Sequence, residues 1–342
     1  VRLLQFLMLI SPHIFIFFFI IIIRVIIAIS RSNWLCIWFA IELNLLRFIP
    51  ILLASKTNQE TEGSIKYFLA QALGSSILLL FRYSTILLNT NIIYFLLIIA
   101  IIIKIGRFPC HWWFPSVIIS SRWVPRLILA TWQKLASLTI ISFILINSYN
   151  IATISIIAGT NTIIGGIIGI NQSQLRPIIA YSSISHIGWI IRILYIKEIS
   201  YCITYYVIYF ILTAPIFLIL NSISYNSSKT INKFRIYPKI FKTSIIIILL
   251  SLGGLPPLRG FMPKLIVISI LIEKNRFLVI CIILGSLLTL YFYLNIAISL
   301  IIIDTKYKTK SKEYKSSLIL ISRILYIRLL PVILIYAMTI LY

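Results

Sequence analysis

Acidic residues are scarce in this chain. Seven Asp and Glu stand against 31 Lys and Arg in 342 residues, and all charged residues together make up 11% of it. An ordinary soluble domain carries about 25% charged residues, so a water-soluble fold of this length is excluded. Cysteine is scarce too: Cys36, Cys110, Cys202 and Cys281 stand singly, without a C-x-x-C pair. Neither a zinc site nor a cysteine-bound iron–sulfur cluster can be assembled locally from them. They read as small buried apolar residues. The sequence also lacks a phosphate-binding loop, a dinucleotide fingerprint and a hydrolytic triad. It is therefore expected to hold no metal, no cofactor and no redox or hydrolytic centre of its own. Methionine is nearly absent, with three in the whole chain.

Apolar residues fill the space that charge leaves. They make up 61% of the chain, and the mean hydropathy is +1.06. Isoleucine-rich runs such as Phe15–Ile23, Ile98–Ile103 and Ile245–Leu250 recur from end to end, which excludes a protein with a single anchor. A bilayer core needs about 20 apolar residues per helix and tolerates no open sheet edge, so each long run reads as a transmembrane helix. About eleven qualify: Leu3–Ile29, Asn33–Ala54, Ser64–Leu88, Ile92–Gly106, Pro125–Ile146, Ile151–Ile170, Gln174–Tyr195, Tyr201–Leu220, Thr243–Ile272, Phe277–Ile303 and Ser317–Leu341. The first reads as a retained span, because it is too long for a signal-peptide core and has no small-residue cleavage site.

A net charge of +24 on a soluble protein would point to nucleic acid. Here many arginines stand inside apolar runs, and no recognition-helix, zinc-finger or RNA-binding spacing accompanies them, so the partner is the lipid bilayer and not nucleic acid. The loop lysines carry topology instead. Two basic connections, Asn226–Lys242 and Asp304–Ser316, are separated by two spans and so face one side, together with Lys56, Lys66, Arg122 and Arg176. The positive-inside rule places that side and the N-terminus in the cytoplasm or matrix, and eleven spans place the C-terminus opposite.

Two spans are interrupted. Lys104-Ile105-Gly106 with Pro109 breaks the fourth, and Gly253-Gly254-Leu255-Pro256-Pro257 with Gly260, Pro263 and Lys264 breaks the ninth. They lie five spans apart, as two five-helix repeats would place them, and an odd repeat length makes the copies inverted. Glycine- and proline-interrupted spans in matching positions point to an ion site. Ordinary loops between short helices are the alternative.

Glu42 stands mid-span, where an isolated carboxylate is costly, so it is either protonated or paired with a cation. Lys104 and Lys134 occupy consecutive spans, and Lys264 follows the second break. Removal from water weakens an amine's hold on its proton and a nearby carboxylate strengthens it, so a neighbouring charge can switch its occupancy. The expected relay is Glu42 close to Lys104, with a proton passed onward to Lys134. Lys264 has the alternative of reaching to the membrane surface. His111 and His186 are further candidates because histidine titrates near neutrality. Either can equally be structural, and His13 has no context. Gly165, Gly166 and Gly169 read as a helix-packing face.

Taken together, Glu42-Leu43-Asn44-Leu45-Leu46, Lys66 to Gln71, Pro109-Cys110-His111-Trp112-Trp113, Thr131-Trp132-Gln133-Lys134, Asn171-Gln172 with Leu175-Arg176, Ala180 to Trp189, and Gly253 to Lys264 resemble the mitochondrial NADH dehydrogenase subunit 2 family. That family is one of the antiporter-like membrane subunits of respiratory complex I. The resemblance covers about residues 33 to 300. It implies an all-helical fold of two inverted five-helix repeats, over residues 1–150 and 151–303, followed by a basic loop and terminal helix over 304–342. It also implies proton translocation in the mitochondrial inner membrane, N-terminus on the matrix side and C-terminus in the intermembrane space. Other complex I membrane subunits would be the partners. NADH, FMN, iron–sulfur clusters and ubiquinone would be bound by partner subunits. By the motif matches Glu42, Lys104, Lys134 and Lys264 are the pumping residues, with His186 and His111 following. A free-standing cation/proton antiporter and a structural membrane spacer are the rival functions.

Cys110 stands where the family has an aromatic residue, and Ser137 where a proline commonly follows the Lys134 motif. The arginines depart most: Arg24, Arg47, Arg82, Arg107, Arg192, Arg259, Arg323 and Arg328 interrupt apolar stretches. An arginine at a helix centre costs about 2.5–3.5 kcal/mol to insert. Seven acidic residues in the whole chain are too few to pair them all. A mitochondrial code in which AGA and AGG specify serine and AUA methionine, read by the standard code, would produce both this arginine excess and the shortage of methionine.

Overall fold

A computed structural model describes residues 12–30, 33–54, 57–84, 90–147, 151–196, 198–223, 239–274 and 276–306. The described residues are helical with short connections and contain no strand. In chain order the helices are α1 (Pro12–Ser30), α2 (Trp34–Leu52), α3 (Asn58–Ser84), α4 (Thr90–Ile105), α5 (Trp113–Ser120), α6 (Trp123–Ala130), α7 (Trp132–Asn147), α8 (Ile151–Ile170), α9 (Leu175–Ile196), α10 (Ile199–Ile223), α11 (Lys239–Gly253), α12 (Phe261–Lys274) and α13 (Arg276–Lys306). The expected span Ser317–Leu341, the start of the first span and most of the two basic loops lie outside the described residues. Lys239 and Lys242 belong to α11 rather than to a loop, and Asp304 and Lys306 to α13.

Among the described residues, five helical stretches are long and apolar enough to cross a membrane: Trp34–Leu52, Asn58–Phe81, Leu175–Ile196, Ile199–Asn221 and Leu278–Ile301. The chain divides into two compact units, Val1–Ile154 and Ser155–Tyr342. In the first, α2 packs on α1 and α3, α3 on α4 and α5, and α7 on α1, α4 and α6. In the second, α9 packs on α10, α12 and α13, and α11 on α10, α12 and α13. Pro177 through Leu194 of α9 are buried on every face of the helix, so α9 is an interior helix of its unit. Small residues bring α8 against it: a Cβ at Gly165 would come within 2.9 Å of the Tyr181 carbonyl oxygen.

At each of the two expected interruptions a helix ends, and both end by the same local device. At the end of α4 the Arg107 N–H donates to the Ile102 carbonyl (3.1 Å) and the Gly106 N–H to Ile103 (3.1 Å), with Gly106 at φ +71°. At the end of α11 the Leu255 N–H donates to Leu250 (3.4 Å) and the Gly254 N–H to Ser251 (3.1 Å), with Gly254 at φ +86°. This is the Schellman arrangement, whose left-handed residue is almost always glycine because a Cβ would collide with the backbone.

A third interruption differs from the sequence reading, which ran Pro125–Ile146 as one span. The helix breaks at Thr131, whose backbone stands at φ −119°, ψ −81° between α6 and α7. The Thr131 N–H (3.0 Å) and Oγ1 hydroxyl (2.6 Å) both donate to the Leu127 carbonyl. A hydroxyl competing for a helical carbonyl bends a helix without proline or glycine. The break sits three residues before Lys134.

Candidate functional site

In the first unit the polar side chains of α2, α3, α4 and α7 converge on one small cavity. Its volume of about 20 Å³ holds roughly one water molecule. Lys104, Lys134, Gln71, Gln133, Asn44 and Tyr67 are among the side chains that line it. Lys104 is buried at the end of α4, and its Nζ has no hydrogen-bond partner. Its position is set from α3. The Gln71 amide donates to the Lys104 backbone carbonyl (2.9 Å), and Gly74 leaves the groove along which the lysine stem runs.

Glu42 lies within electrostatic reach of Lys104 and of Tyr67. One of its carboxylate oxygens, Oε2, is buried without a hydrogen-bond partner. Glu42 and Lys104 form no direct ion pair; other carboxylates of this unit do pair, Glu62 with Lys66 (2.5 Å) and Glu60 with Arg122 (3.2 Å). Glu42 and Lys104 are therefore coupled through space while the ammonium remains available to a transferable partner.

Lys134 is buried on α7, with its Nζ 4.4 Å from the centre of the Phe114 ring. An aromatic face supports an ammonium without accepting its proton. Directly before it, Gln133 pairs with Asn44 of α2: the Asn44 amide donates to Gln133 Oε1 (2.5 Å) and the Gln133 amide to Asn44 Oδ1 (3.4 Å). Sequence reasoning did not single out this pair, although each member adjoins a buried charge in its own motif. The connection from α4 folds back over the site, with the Trp113 indole donating to the Ile103 carbonyl (2.9 Å). His111 lies in this connection, buried and stacked on Trp112 at 4.6 Å, and does not line the cavity.

In the second unit Lys264 is buried four residues into α12 and reaches back across the break. Its ammonium donates to the carbonyls of Gly253 (2.8 Å) and Leu252 (3.3 Å). These belong to the last turn of α11, where unsatisfied carbonyls concentrate negative charge. Lys264 is thus turned inward rather than toward a membrane surface. The two lysines sit on opposite sides of their breaks: Lys104 in the helix before, Lys264 in the helix after. Lys264 Nζ lies 5.9 Å from the Trp189 ring centre. Trp189 stacks on Tyr205 (6.5 Å, 12°), and the Tyr205 hydroxyl is 3.1 Å from His186 Nδ1. Lys264 and His186 therefore belong to one aromatic-lined cluster.

The arginines divide by environment. Arg47 is exposed and lies 5.4 Å from the Phe17 ring centre. Arg107, Arg126 and Arg192 are buried. Arg126, which sequence reasoning did not single out, donates to the carbonyls of Ser121 and Ile119 and covers the Trp123 ring at 4.3 Å. Arg107 is within electrostatic reach of Lys134, a like-charge neighbour. The Arg82 side chain, Arg323 and Arg328 lie outside what is described. Among the described residues no group of three or more His, Cys, Asp or Glu could hold a metal ion.

Discontinuous helices with buried lysines at the breaks, within a bundle rich in membrane-length spans, define a membrane protein of the antiporter-like class. Its fold is that of solved antiporter-like assemblies. One chain of respiratory complex I from Thermus thermophilus with bound aureothin superimposes at a TM-score of 0.75 and 21% identity, over 85% of this chain and 71% of that one. A chain of the Mrp complex from Dietzia sp. does so at 0.72 and 18%, over 80% and 57%. At such identities the likeness concerns the fold alone. The family described as NADH:quinone oxidoreductase/Mrp antiporter, TM, matches residues 31–289. The NADH-ubiquinone oxidoreductase chain 2 of Lumbricus terrestris is 46% identical over 275 residues, spanning 80% of this chain and 82% of that protein. The chain belongs to the NADH-ubiquinone oxidoreductase chain 2 family.

Proposed function

We propose that this chain is a proton-translocating membrane subunit of NADH:ubiquinone oxidoreductase, and that Glu42, Lys104, Lys134 and Lys264 carry its protons, with His186 and His111 in supporting roles. The observation that carries this reading is one cavity of about 20 Å³ lined by two buried lysines from different helices, with a carboxylate in electrostatic reach of one of them. A spacer subunit has no use for that arrangement, since each buried cation costs insertion energy.

While Glu42 is ionised, the charge on Lys104 is supported and its proton held. Removing that support, by protonation or displacement of Glu42, leaves a buried ammonium with no hydrogen-bond partner. The proton then passes through the shared cavity to Lys134 in its neutral amine form, and the Phe114 ring supports the charge once Lys134 has taken it. In the second unit Lys264 is held over the carbonyls freed by the break. There the α11 terminus does for the ammonium what Glu42 does for Lys104.

Eleven transmembrane helices in two inverted five-helix repeats, over 1–150 and 151–303, with a terminal helix in 304–342, complete the architecture. The N-terminus lies on the matrix side of the mitochondrial inner membrane and the C-terminus in the intermembrane space. Other complex I membrane subunits are the partners, and NADH, FMN, iron–sulfur clusters and ubiquinone are held by subunits other than this one. The test is Lys104→Ala in the assembled complex in sealed vesicles. Pumping is expected to be impaired, with NADH oxidation reduced through coupling; an unchanged proton-to-electron ratio overturns the assignment. Transport by the purified chain alone would favour a free-standing antiporter.

A further inference from the structure

Tyr205 has no place in the relay described so far, yet it touches two members of the second-unit cluster. It is 2% exposed on α10; its ring stacks on Trp189, and its hydroxyl meets His186 Nδ1 at 3.1 Å. Tyr209 follows one turn later on the same face, its ring 5.2 Å from that of His186. Both Tyr209 and Tyr293 of α13 are within electrostatic reach of Tyr205. The imidazole is thus walled by aromatic groups and held by a hydroxyl at one nitrogen.

We propose that Tyr205 is the positioning residue of His186, fixing its tautomer and orientation so that the ring exchanges protons without reorienting; this rests on the proton-translocating reading above. A phenol is both donor and acceptor, and a histidine nitrogen is either. When His186 is neutral, its Nδ1–H donates to the Tyr205 hydroxyl oxygen and Nε2 carries the lone pair that takes up a proton. When the ring gains a proton at Nε2 it carries N–H at both nitrogens, and Nδ1–H goes on donating to Tyr205. One contact serves both states, and Tyr205 keeps its own proton throughout. Stacking on Trp189 fixes the phenol plane, and Trp189 in turn lies under the Lys264 ammonium.

Tyr205→Phe keeps the stacked ring and removes only the hydroxyl. In the assembled complex in vesicles, with an entrapped pH-sensitive dye, coupled proton uptake is expected to fall about five- to tenfold, the scale of one lost neutral hydrogen bond. Tyr201→Phe, an exposed position on the same helix, leaves it unchanged. His186→Gln lowers it as well, and Tyr205→Phe adds nothing further in the His186→Gln background, because it acts through the ring. Unaltered pumping in Tyr205→Phe, or an equal further loss in the His186→Gln background, overturns the proposal. If Tyr205→Phe pumps normally while Lys264→Ala does not, the positioning role fails and the relay stands; if Lys264→Ala and Lys104→Ala also pump normally, the relay itself fails. Should Tyr205→Phe not assemble, the infrared difference between the unaltered and His186→Gln complexes isolates the ring. Bands of the Nδ1–H tautomer in the neutral ring support the proposal, and bands of the Nε2–H tautomer overturn it.

Discussion

The stem of Lys104 lies against the bare Cα of Gly74: a Cβ there would stand 2.7 Å from the lysine Cγ and 3.3 Å from its Cε. The same Cβ would be 3.3 Å from the Ala100 carbonyl oxygen, so neither side has slack. Gly74 thus sets where the Lys104 ammonium sits, although it carries no chemistry of its own.

Gly74→Ala is therefore expected to act like a weakened Lys104 variant. The lysine stem must move, at a cost of about 1–3 kcal/mol for overpacking. Coupled proton transport should fall while the assembled complex is still recovered, and vesicle pumping with native gel electrophoresis measures both. Gly74→Ala with normal pumping would show that the lysine position tolerates displacement.

The Asn44–Gln133 amide pair ties α2, which carries Glu42, to α7, which carries Lys134. Asn44→Leu leaves the half-buried Gln133 amide without its partner, a loss of about 1 kcal/mol. Lower thermal stability of the complex is expected, together with reduced pumping because the two charged helices lose their register. The Asn44→Leu, Gln133→Leu double variant should recover much of the stability without recovering transport.

Gly254 stands at φ +86°, and a Cβ on it would come 2.9 Å from Lys264 Nζ. Gly254→Ala suffers twice, since the left-handed backbone costs a non-glycine residue about 1–2 kcal/mol and the methyl displaces the ammonium from the α11 carbonyls. The expected result is impaired pumping with partial loss of assembly. Gly253→Ala, where a Cβ meets nothing closer than 3.5 Å, should be milder on both counts.

Arg192 makes the arginine excess testable at one position. It is fully buried in the interior helix α9, and Nε, Nη1 and Nη2 all lack a hydrogen-bond partner. A buried guanidinium with no hydrogen bond, supported only by the Tyr195 ring 5.8 Å away, costs several kcal/mol, comparable with the net stability of about 5–15 kcal/mol of a whole domain. Peptide mass spectrometry of the native chain across Ile184–Tyr195 is expected to return serine at this position. Arginine there, and at Arg47 and Arg259, would exclude the recoding explanation.

Much of the fold was legible because its signals are local. Gly106 and Gly254 mark the ends of α4 and α11 through a backbone conformation open to few other residues, and the apolar runs marked most helices. The break at Thr131 was not legible: a threonine within an apolar run gives no sign that its hydroxyl will take the Leu127 carbonyl. Glu42, Lys104, Lys134 and Lys264 stood out because charge is expensive in an apolar run wherever it falls. Asn44, Gln133, Gly74 and Tyr205 did not, because amides, glycines and tyrosines are unremarkable there until their neighbours are known.

By itself, then, the sequence determined that the chain is a bundle of membrane helices, where two of them stop, and which ionisable groups must be accounted for. These follow from transfer energies and backbone sterics, which each residue carries with it. Tertiary structure alone decided that Lys104 and Lys134 open on one cavity, that Lys264 reaches back across its break, and that Tyr205 holds His186. Each depends on how helices distant in sequence are rotated against one another, and that rotation is set by packing, which no single run of residues encodes.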